Sequence, residues 1–304
     1  MNKKPLVTVI CICHNHMDYV VESLNSVINQ TYNNIEIIII DDASKDDSII
    51  KIKEWIAHKD ILFIENKENI GNTKTFNKAL ALAKGEYILD LATDDILTTT
   101  CIENQIYRFK NSKYKNLGVV FSNMERIDEN GNHISYQYDL NNENKAKQKP
   151  PTGDIYKFII HSYFLSAPTM LIKKNVLKKL KGYDENLSYE DLDFWFRSSR
   201  LFEYDYVDKV LVKKRILKES LSSNFTKRRG INLGKSTYKV CKKAIYLNKN
   251  KEEHKALINR IIYELRLAIK NYNVILFIKF FALLLRLQTK IWISSQWDRL
   301  QFLF

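Results

Sequence analysis

The chain has 304 residues, 45% hydrophobic and 27% charged; this composition excludes a disordered or collagen-like chain and suits one large α/β domain with an appendage. Its net charge of +13 is uneven: from Lys227 onward there are 17 Lys and Arg against 4 Asp and Glu, while the preceding part holds 31 of each. A neutral body with a basic tail is expected.

The N-terminal half alternates strand and helix signals. "LVTVICI" is a short β-branched run and predicts a buried strand. After "CHNHMD", Val20, Val21, Leu24, Val27 and Ile28 recur at helical spacing. "IEIIII" predicts a second strand, stopped at "DDASKDDS", where Ser44 and Asp47 resemble a helix-start box before Ile49, Ile52 and Ile56. "ILFI" reads as a third strand, Gly71 precedes a helix with Phe76, Ala79, Leu80 and Ala83, and "YILDLA" reads as a fourth strand. A helix at Ile102, Ile106 and Phe109 and the strand "GVVFS" follow. Strands separated by single helices predict right-handed βαβ units and a parallel sheet, with ligands beyond the C-terminal strand ends. Asn15, Asp41, Asp42, Asp94 and Asp95 all fall at such ends.

Further along, "NNENKAKQKPPTGD" reads as a solvated loop, "SAPTMLIKK" as a strand and "YEDLDFWFRSSRLF" as a helix; from Gly230 only helical patterns remain. Four cysteines are too few for a disulfide framework, and the opening "MNKKPLVTVI" lacks a signal-peptide pattern, so a reduced, cytoplasmic setting is expected.

Three constellations can carry chemistry, each beside a plainer reading. The acids of "IIIIDDASKDD" can bond a nucleotide base or ribose, or cap a helix. The adjacent acids of "LATDD" suit a hard divalent ion that keeps phosphate and water ligands, or belong to a polar loop. In "YEDLDFWFR", Glu190 and Asp191 occupy a first helical turn, where a carboxylate can be a general base or merely stabilise the helix; Asp193 and Arg197 can pair on the surface. The "CICHNH" stretch has no second Cys/His pair at zinc spacing, and no Walker, dinucleotide or G-x-S-x-G motif occurs.

Taken in order, "VTVICICHNHMDYVVESLNSVINQTYNNIEIIIIDDASKDDS", "NKENIGNTKTFNKAL", "GEYILDLATDDIL" and "GYDENLSYEDLDFWFR" resemble the family 2 glycosyltransferases, over roughly residues 5 to 225. The resemblance implies a GT-A fold: a Rossmann-like, mixed but mainly parallel sheet flanked by helices, over residues 1–225. A basic helical extension over 226–304 would follow. It implies a nucleotide-sugar donor (UDP by default), Mg²⁺ or Mn²⁺, a saccharide or lipid-linked saccharide acceptor, and inverting hexosyl- or N-acetylhexosaminyl-type transfer in surface-glycan assembly. By the same resemblance Asp42 holds the base, with Ile12, Asn15, Asp41 and Asn77 among the nucleotide-sugar contacts. Asp95 is the metal ligand, with Asp94 beside it at ribose, sugar or metal; Asp191, paired with Glu190, is the base.

Two positions depart from the family pattern. Ala92 stands where D-x-D has its first acid, and Leu217 stands where a "YRIH"-like stretch has His. Asp90 cannot replace the missing acid, since two strand residues span roughly 6.6 Å; a structural role is expected for it.

In the tail, "VILFIKFFALLLRL" is apolar but interrupted by Lys279 and Arg286, short of the ~20 residues a spanning helix needs. With Lys290, Trp292, Trp297 and Arg299 following, residues 270–304 suit either an interfacial helix at the cytoplasmic membrane face or a helical bundle, packed on the body or on a second copy. A sugar-nucleotide-binding protein without catalysis is the alternative function. Nucleic-acid binding is not expected, because the basic charge is mixed with long aliphatic runs and no recognition motif appears.

Overall fold

The computed structural model describes residues 4–218 and 231–301, without side-chain detail at Ile231 and 292–301. Two units emerge, one of Met1–Asp154, Phe164–Glu185 and Leu201–Leu217, the other of Ile155–Tyr163, Asn186–Arg200 and Lys218–Phe304. The expected 225/226 boundary lies outside the described residues, as do Lys227–Arg229 and the side chains of Trp292, Trp297 and Arg299.

Unit 1 is built on a mixed sheet. In chain order its elements are β1 (Val7–Cys13), α1 (Val20–Ile28), β2 (Ile35–Asp41), α2 (Ser48–Ile56), β3 (Leu62–Glu65), α3 (Asn72–Leu80), β4 (Tyr87–Ala92), β5 (Ile96–Leu97), α4 (Cys101–Asn111), β6 (Leu117–Ile127), β7 (His133–Tyr136), β8 (Leu171–Lys173), α6 (Lys174–Leu180) and β9 (Glu203–Arg215). The strand order is β3-β2-β1-β4-β8-β6-β9-β5, with β7 on β6. β3, β2, β1 and β4 run parallel, as the single-helix crossovers predict.

β6 does not join β4 directly. The short β8 enters between them, antiparallel to both, which makes the sheet mixed. The sequence hid this because β8 contributes only Leu171–Lys173, preceded by a single 3₁₀ turn at Ala167–Thr169.

β1 is buried along its whole length. Val7, Val9, Cys11 and Cys13, alternate residues on one face, join Val20, Leu24 and Val27 of α1 and Ile52 of α2 in the core. Val21 and Ile28 lie outside that face and are exposed. The expected Ser44 helix box does not form: Ser44 is bonded to Asp41, while Asp46 takes the Ser48 N–H at 3.0 Å. All four cysteines are free and buried. Asp90 is buried and accepts the Tyr183 hydroxyl at 3.1 Å, the structural role expected of it.

Unit 2 is helical: α5 (Tyr156–His161), α7 (Asp191–Ser199), α8 (Ile231–Leu247), α9 (Lys251–Lys270) and α10 (Val274–Gln301). α7 is buried nearly all round, by Leu192, Phe194, Trp195 and Phe196 among others. α9 opens with a built cap, in which Asn250 accepts the Glu253 N–H at 2.9 Å and Glu253 reaches back to the Lys249 N–H at 2.6 Å. α10 buries Leu276, Phe280, Leu283 and Leu287 but exposes Val274, Ile275, Ile278, Phe281 and Leu285. Among the described residues no helix is long and apolar enough to cross a membrane.

Candidate active site

The tips of β1, β2 and β4 lie side by side, because Cys13 pairs with Asp41 and Ile12 with Ala92. The loops after these strands therefore share one edge of unit 1, the edge where parallel sheets bind ligands. They are laced together. Asn15 takes a left-handed backbone, φ 57°, and its N–H donates to Ser44 Oγ at 2.8 Å. The Lys45 N–H returns to Asn15 Oδ1 at 2.8 Å. Met17 N–H reaches Asp46 at 3.0 Å. Burial works to raise the Asp46 carboxyl, but bonds from Ser48 and Met17 outweigh it and hold that carboxyl below its usual range.

Asp41 is fully buried and takes both the N–H and the hydroxyl of Ser44, at 2.7 and 2.5 Å. Asp42 accepts three donors, Asn66 Nδ2 at 2.9 Å, Ile70 N–H at 3.0 Å and Gly71 N–H at 2.9 Å. A carboxylate has about four acceptor positions, so three donors do not fill it, though Asp42 is 3% exposed. His14 adds a ring to this edge: its Nδ1 bonds the Asp42 carbonyl at 2.9 Å and its Nε2 lies 3.1 Å from Asn69 Nδ2.

At the β4 tip the two acids differ. Asp95 is 3% exposed and accepts the Arg215 N–H at 2.9 Å. Burial, with the Asp94 charge adding, raises its carboxyl well above the usual range against Lys214 and Arg215. The Asp94 side chain is 12% exposed, 3.9 Å from His16 Nδ1. Arg215 straps this turn down. Its guanidinium reaches the Asp94, Asp128 and Glu129 carbonyls at 3.2, 3.2 and 3.0 Å and Glu22 at 2.7 Å, and lies 4.5 Å from the Tyr19 ring centre. No local pattern could have exposed Arg215, because its partners lie at residues 22, 94, 128 and 129.

Two donor-side candidates are bonded within unit 1. Asn77 donates its amide to the Tyr183 carbonyl and Glu185, both at 2.9 Å, and accepts the Tyr183 N–H at 2.9 Å. That leaves Asn77 tying α3 to the 182–185 turn, where Gly182 is required because a Cβ would meet Asn77 Oδ1 at 2.3 Å. Ile12 is buried and its carbonyl accepts the Thr93 N–H at 3.0 Å, which shapes the tip.

In unit 2, Glu190 and Asp191 open α7 and both are half-buried. Asp191 Oδ1 accepts the Leu192 N–H at 2.6 Å, and the Glu190 carbonyl accepts the Phe194 N–H at 3.1 Å. Asp193 does not pair on the surface: it is 1% exposed and bonds Arg197 and Lys243, both at 2.6 Å. Around this helix start, burial pushes the Tyr163 and Tyr189 phenols up, and the charges of Glu264 and Asp191 add to it. Asp191 therefore has the buried Tyr189, the part-exposed Tyr163 and a second carboxyl for neighbours.

Among the described residues no three His, Cys, Asp or Glu side chains converge as a metal site. The chemistry present fits a hard cation carried mainly by a substrate diphosphate, for which one or two carboxylates suffice. Asp94 has the exposure for it. Asp95, the expected metal ligand, is 3% exposed and has Oδ1 bonded by the Arg215 N–H.

The Glycosyl transferase family 2 profile matches residues 8–180. The chain belongs to this family. It is a glycosyltransferase with the GT-A architecture. An uncharacterized glycosyltransferase of Methanocaldococcus jannaschii is 33% identical over 218 residues, covering 70% of this chain and 71% of that protein. The chondroitin synthase of Escherichia coli is 26% identical over 226 residues, 73% of this chain but 30% of the longer protein. Among solved structures, Staphylococcus aureus TarS 1–349 in complex with UDP-GlcNAc superposes with a TM-score of 0.66 at 19% identity, covering 84% of this chain and 71% of that one. A mannosyltransferase of Pyrobaculum calidifontis, in complex with GDP-Man and Mn²⁺, gives 0.63 at 16% identity, covering 89% and 74%. Likeness at this identity carries the fold. All of the glycosyltransferase's donor-side candidates fall inside the family match, while Glu190 and Asp191 lie beyond its end.

Proposed function

We propose that the enzyme is an inverting, cation-dependent transferase that moves a sugar from a nucleotide-sugar to a hydroxyl of a saccharide or lipid-linked saccharide. The observation that carries this reading is the shared strand-tip edge of unit 1. There Asp42 has three of about four acceptor positions filled and Asp94 keeps partial exposure, with Asp41 and Asp95 buried beside them. Asp42, with His14 and Asn69 beside it, is assigned to the base; Asp94 is assigned to the diphosphate side, with Asp95 and Arg215 holding it in place. UDP is the first nucleotide to test, since it is the one named with TarS.

Asp191 is assigned as the base, with Glu190 beside it. A hydroxyl is a weak nucleophile until a positioned carboxylate takes its proton during attack. The acceptor oxygen then bonds the anomeric carbon from the face opposite the nucleoside diphosphate, which departs with the electron pair of the broken bond, so the configuration inverts. A divalent cation, when bound, supplies charge stabilisation on the departing diphosphate. Glycosidases place two carboxylates across the bond, one as acid; here one carboxylate on the acceptor side is enough.

The test is transfer itself. UDP- and GDP-sugars with Mn²⁺ should raise the melting temperature by mass action, and NMR of the first-formed product should show the inverted anomer. A retained anomer rejects the single displacement. Nucleotide-sugar binding with neither transfer nor donor hydrolysis favours the binding-protein alternative.

Membrane contact through 270–304 is supported by α10, whose exposed Val274, Ile278, Phe281 and Leu285 recur at helical spacing near Lys279, Arg286 and Lys290. This face is assigned to an anionic bilayer surface, where a lipid-linked acceptor resides. The full chain should co-sediment with vesicles containing phosphatidylglycerol, and Ile278→Glu with Phe281→Glu should abolish that. Equal sedimentation of both proteins rejects the assignment; a concentration-dependent dimer that the same changes dissolve assigns the face to a second copy.

A further inference from the structure

We propose that the His16 imidazole is a direct ligand of the divalent cation, standing in for the acid that Ala92 lacks. The inference rests on the cation-dependent reading above and adds a residue to it. Ala92 and Leu217 offer no polar side chain where a family member has acid and imidazole. A nitrogen or oxygen ligand must come from elsewhere if the protein is to contribute more than Asp94.

The register of β1 on β4 supplies one. Ile12 pairs with Ala92, so the chain leaving β1 folds back over the turn that leaves β4. His16 is fixed there by its backbone. Its N–H donates to Ser48 Oγ at 2.9 Å, and its carbonyl accepts the Tyr19 and Val20 N–H groups, both at 2.9 Å. The imidazole Nδ1 then stands 3.0 Å from Thr93 Oγ1 and 3.9 Å from Asp94 Oδ1.

The distance to Asp94 is too long for a hydrogen bond. It is shorter than two metal–ligand bonds of about 2.1 Å laid end to end. One ion therefore lies within reach of both groups with the backbone in place, once the imidazole turns from Thr93. Nδ1 now faces the Thr93 hydroxyl, the contact the ring gives up to take a metal. Two protein ligands, with phosphate oxygens and water completing the shell, agree with the absence of a three-residue cluster among the described residues. A nitrogen ligand also disfavours Mg²⁺, which takes oxygen, relative to transition-metal ions.

The experiment uses the full chain with Mn²⁺, titrated by electron paramagnetic resonance in the presence of UDP and, separately, GDP. Pulsed measurement on the parent protein should show nitrogen coupling to bound Mn²⁺. His16→Gln should remove that coupling and weaken Mn²⁺ at least about tenfold, with a smaller change for Mg²⁺. Asp94→Asn should weaken both ions. Parent protein whose bound Mn²⁺ shows no nitrogen coupling overturns the proposal, and so does unchanged Mn²⁺ affinity in His16→Gln. Mn²⁺ binding that depends on Asp94 but not His16 removes this proposal and leaves the cation-dependent reading standing. No Mn²⁺ uptake with either nucleotide removes both.

Discussion

The two units hold their carboxylates by different means. In unit 1 the acids at the strand tips are met largely by backbone N–H groups: Asp41 by Ser44, Asp42 by Ile70 and Gly71, Asp46 by Met17 and Ser48, Asp95 by Arg215. In unit 2 they are met by cationic side chains: Asp193 by Arg197 and Lys243, Glu253 by Arg200, Glu264 by Arg260. Backbone donors fix a carboxylate's direction without adding a charge to the site. Ion pairs cost more to bury and leave an uncompensated charge when one partner is lost. The first arrangement suits a face that must receive an anionic diphosphate; the second suits a helical body whose stability depends on paired side chains.

The largest expected effect tests whether function divides as the units do. Asp191→Asn should lower the transfer rate by about 10²–10⁴-fold, the usual contribution of a general base, while UDP affinity by calorimetry stays within error. A parallel loss of nucleotide affinity would show that Asp191 belongs to the donor side, and unchanged transfer would remove its assignment as the base.

Next is Asp193, the clearest ion-pair residue. Asp193→Ala removes the buried carboxylate shared by Arg197 and Lys243, whose side chains are 19% and 37% exposed; the loss should lie between the ~1 kcal/mol of an exposed pair and the ~3–5 kcal/mol of a fully buried one. Urea unfolding should show a loss of that order. An effect below about 1 kcal/mol, the size of an exposed pair, would mean that solvent reaches this cluster and that the contrast between units is overstated.

Glu264 sharpens the contrast through pH. It is 6% exposed, and burial, opposed by Arg260, lifts its carboxyl to about 7 from an ordinary 4.5. The folded chain thus holds a proton that the unfolded chain releases between those values. The resulting stabilisation is complete below pH 4.5 and is lost as pH rises through 7, an effect on the order of 3 kcal/mol. Glu264→Gln should match the parent near pH 4.5 and become relatively more stable by pH 8. Parallel stability curves across that range would place Glu264 in contact with water.

The same contrast explains what the sequence could disclose. The βαβ order and the acids at 41, 42, 94 and 95 were legible because hydrophobic period and strand-end position are properties of short stretches. What stayed hidden needed distant partners. Asn77 looked available until Tyr183 and Glu185 closed on it, and Asp193 looked exposed until Lys243 arrived from α8. Asp94 and Asp95 are neighbours with the same chemistry, and only the fold buries one of them against the Arg215 N–H. β8 was readable as a strand, but its insertion between β4 and β6 is a long-range event without a local signature.

The smallest effect tests the rule from the other direction, because unit 2 also contains a carboxylate held by local backbone. At the start of α9, Asn250 Oδ1 accepts the Glu253 N–H, and Glu253 Oε2 accepts the Lys249 N–H. This cap lies within five consecutive residues and is written in the sequence as "NKNKEE". Glu253 also bonds Arg200, the residue that caps the end of α7, at 2.8 Å, so one carboxylate joins both kinds of support. Asn250→Ala removes only the local part and should cost about 1 kcal/mol, typical of a lost cap. Arg200→Ala removes the distant bond together with the guanidinium's contact over the Tyr156 ring at 4.1 Å, and leaves Glu253 buried with its cap bonds, so it should cost more. If the two substitutions cost the same in urea unfolding, and the double substitution costs their simple sum, the two supports act independently. A double-mutant coupling above about 0.5 kcal/mol would show that the cap orients Glu253 for Arg200, so that a local signal helps set a long-range pair.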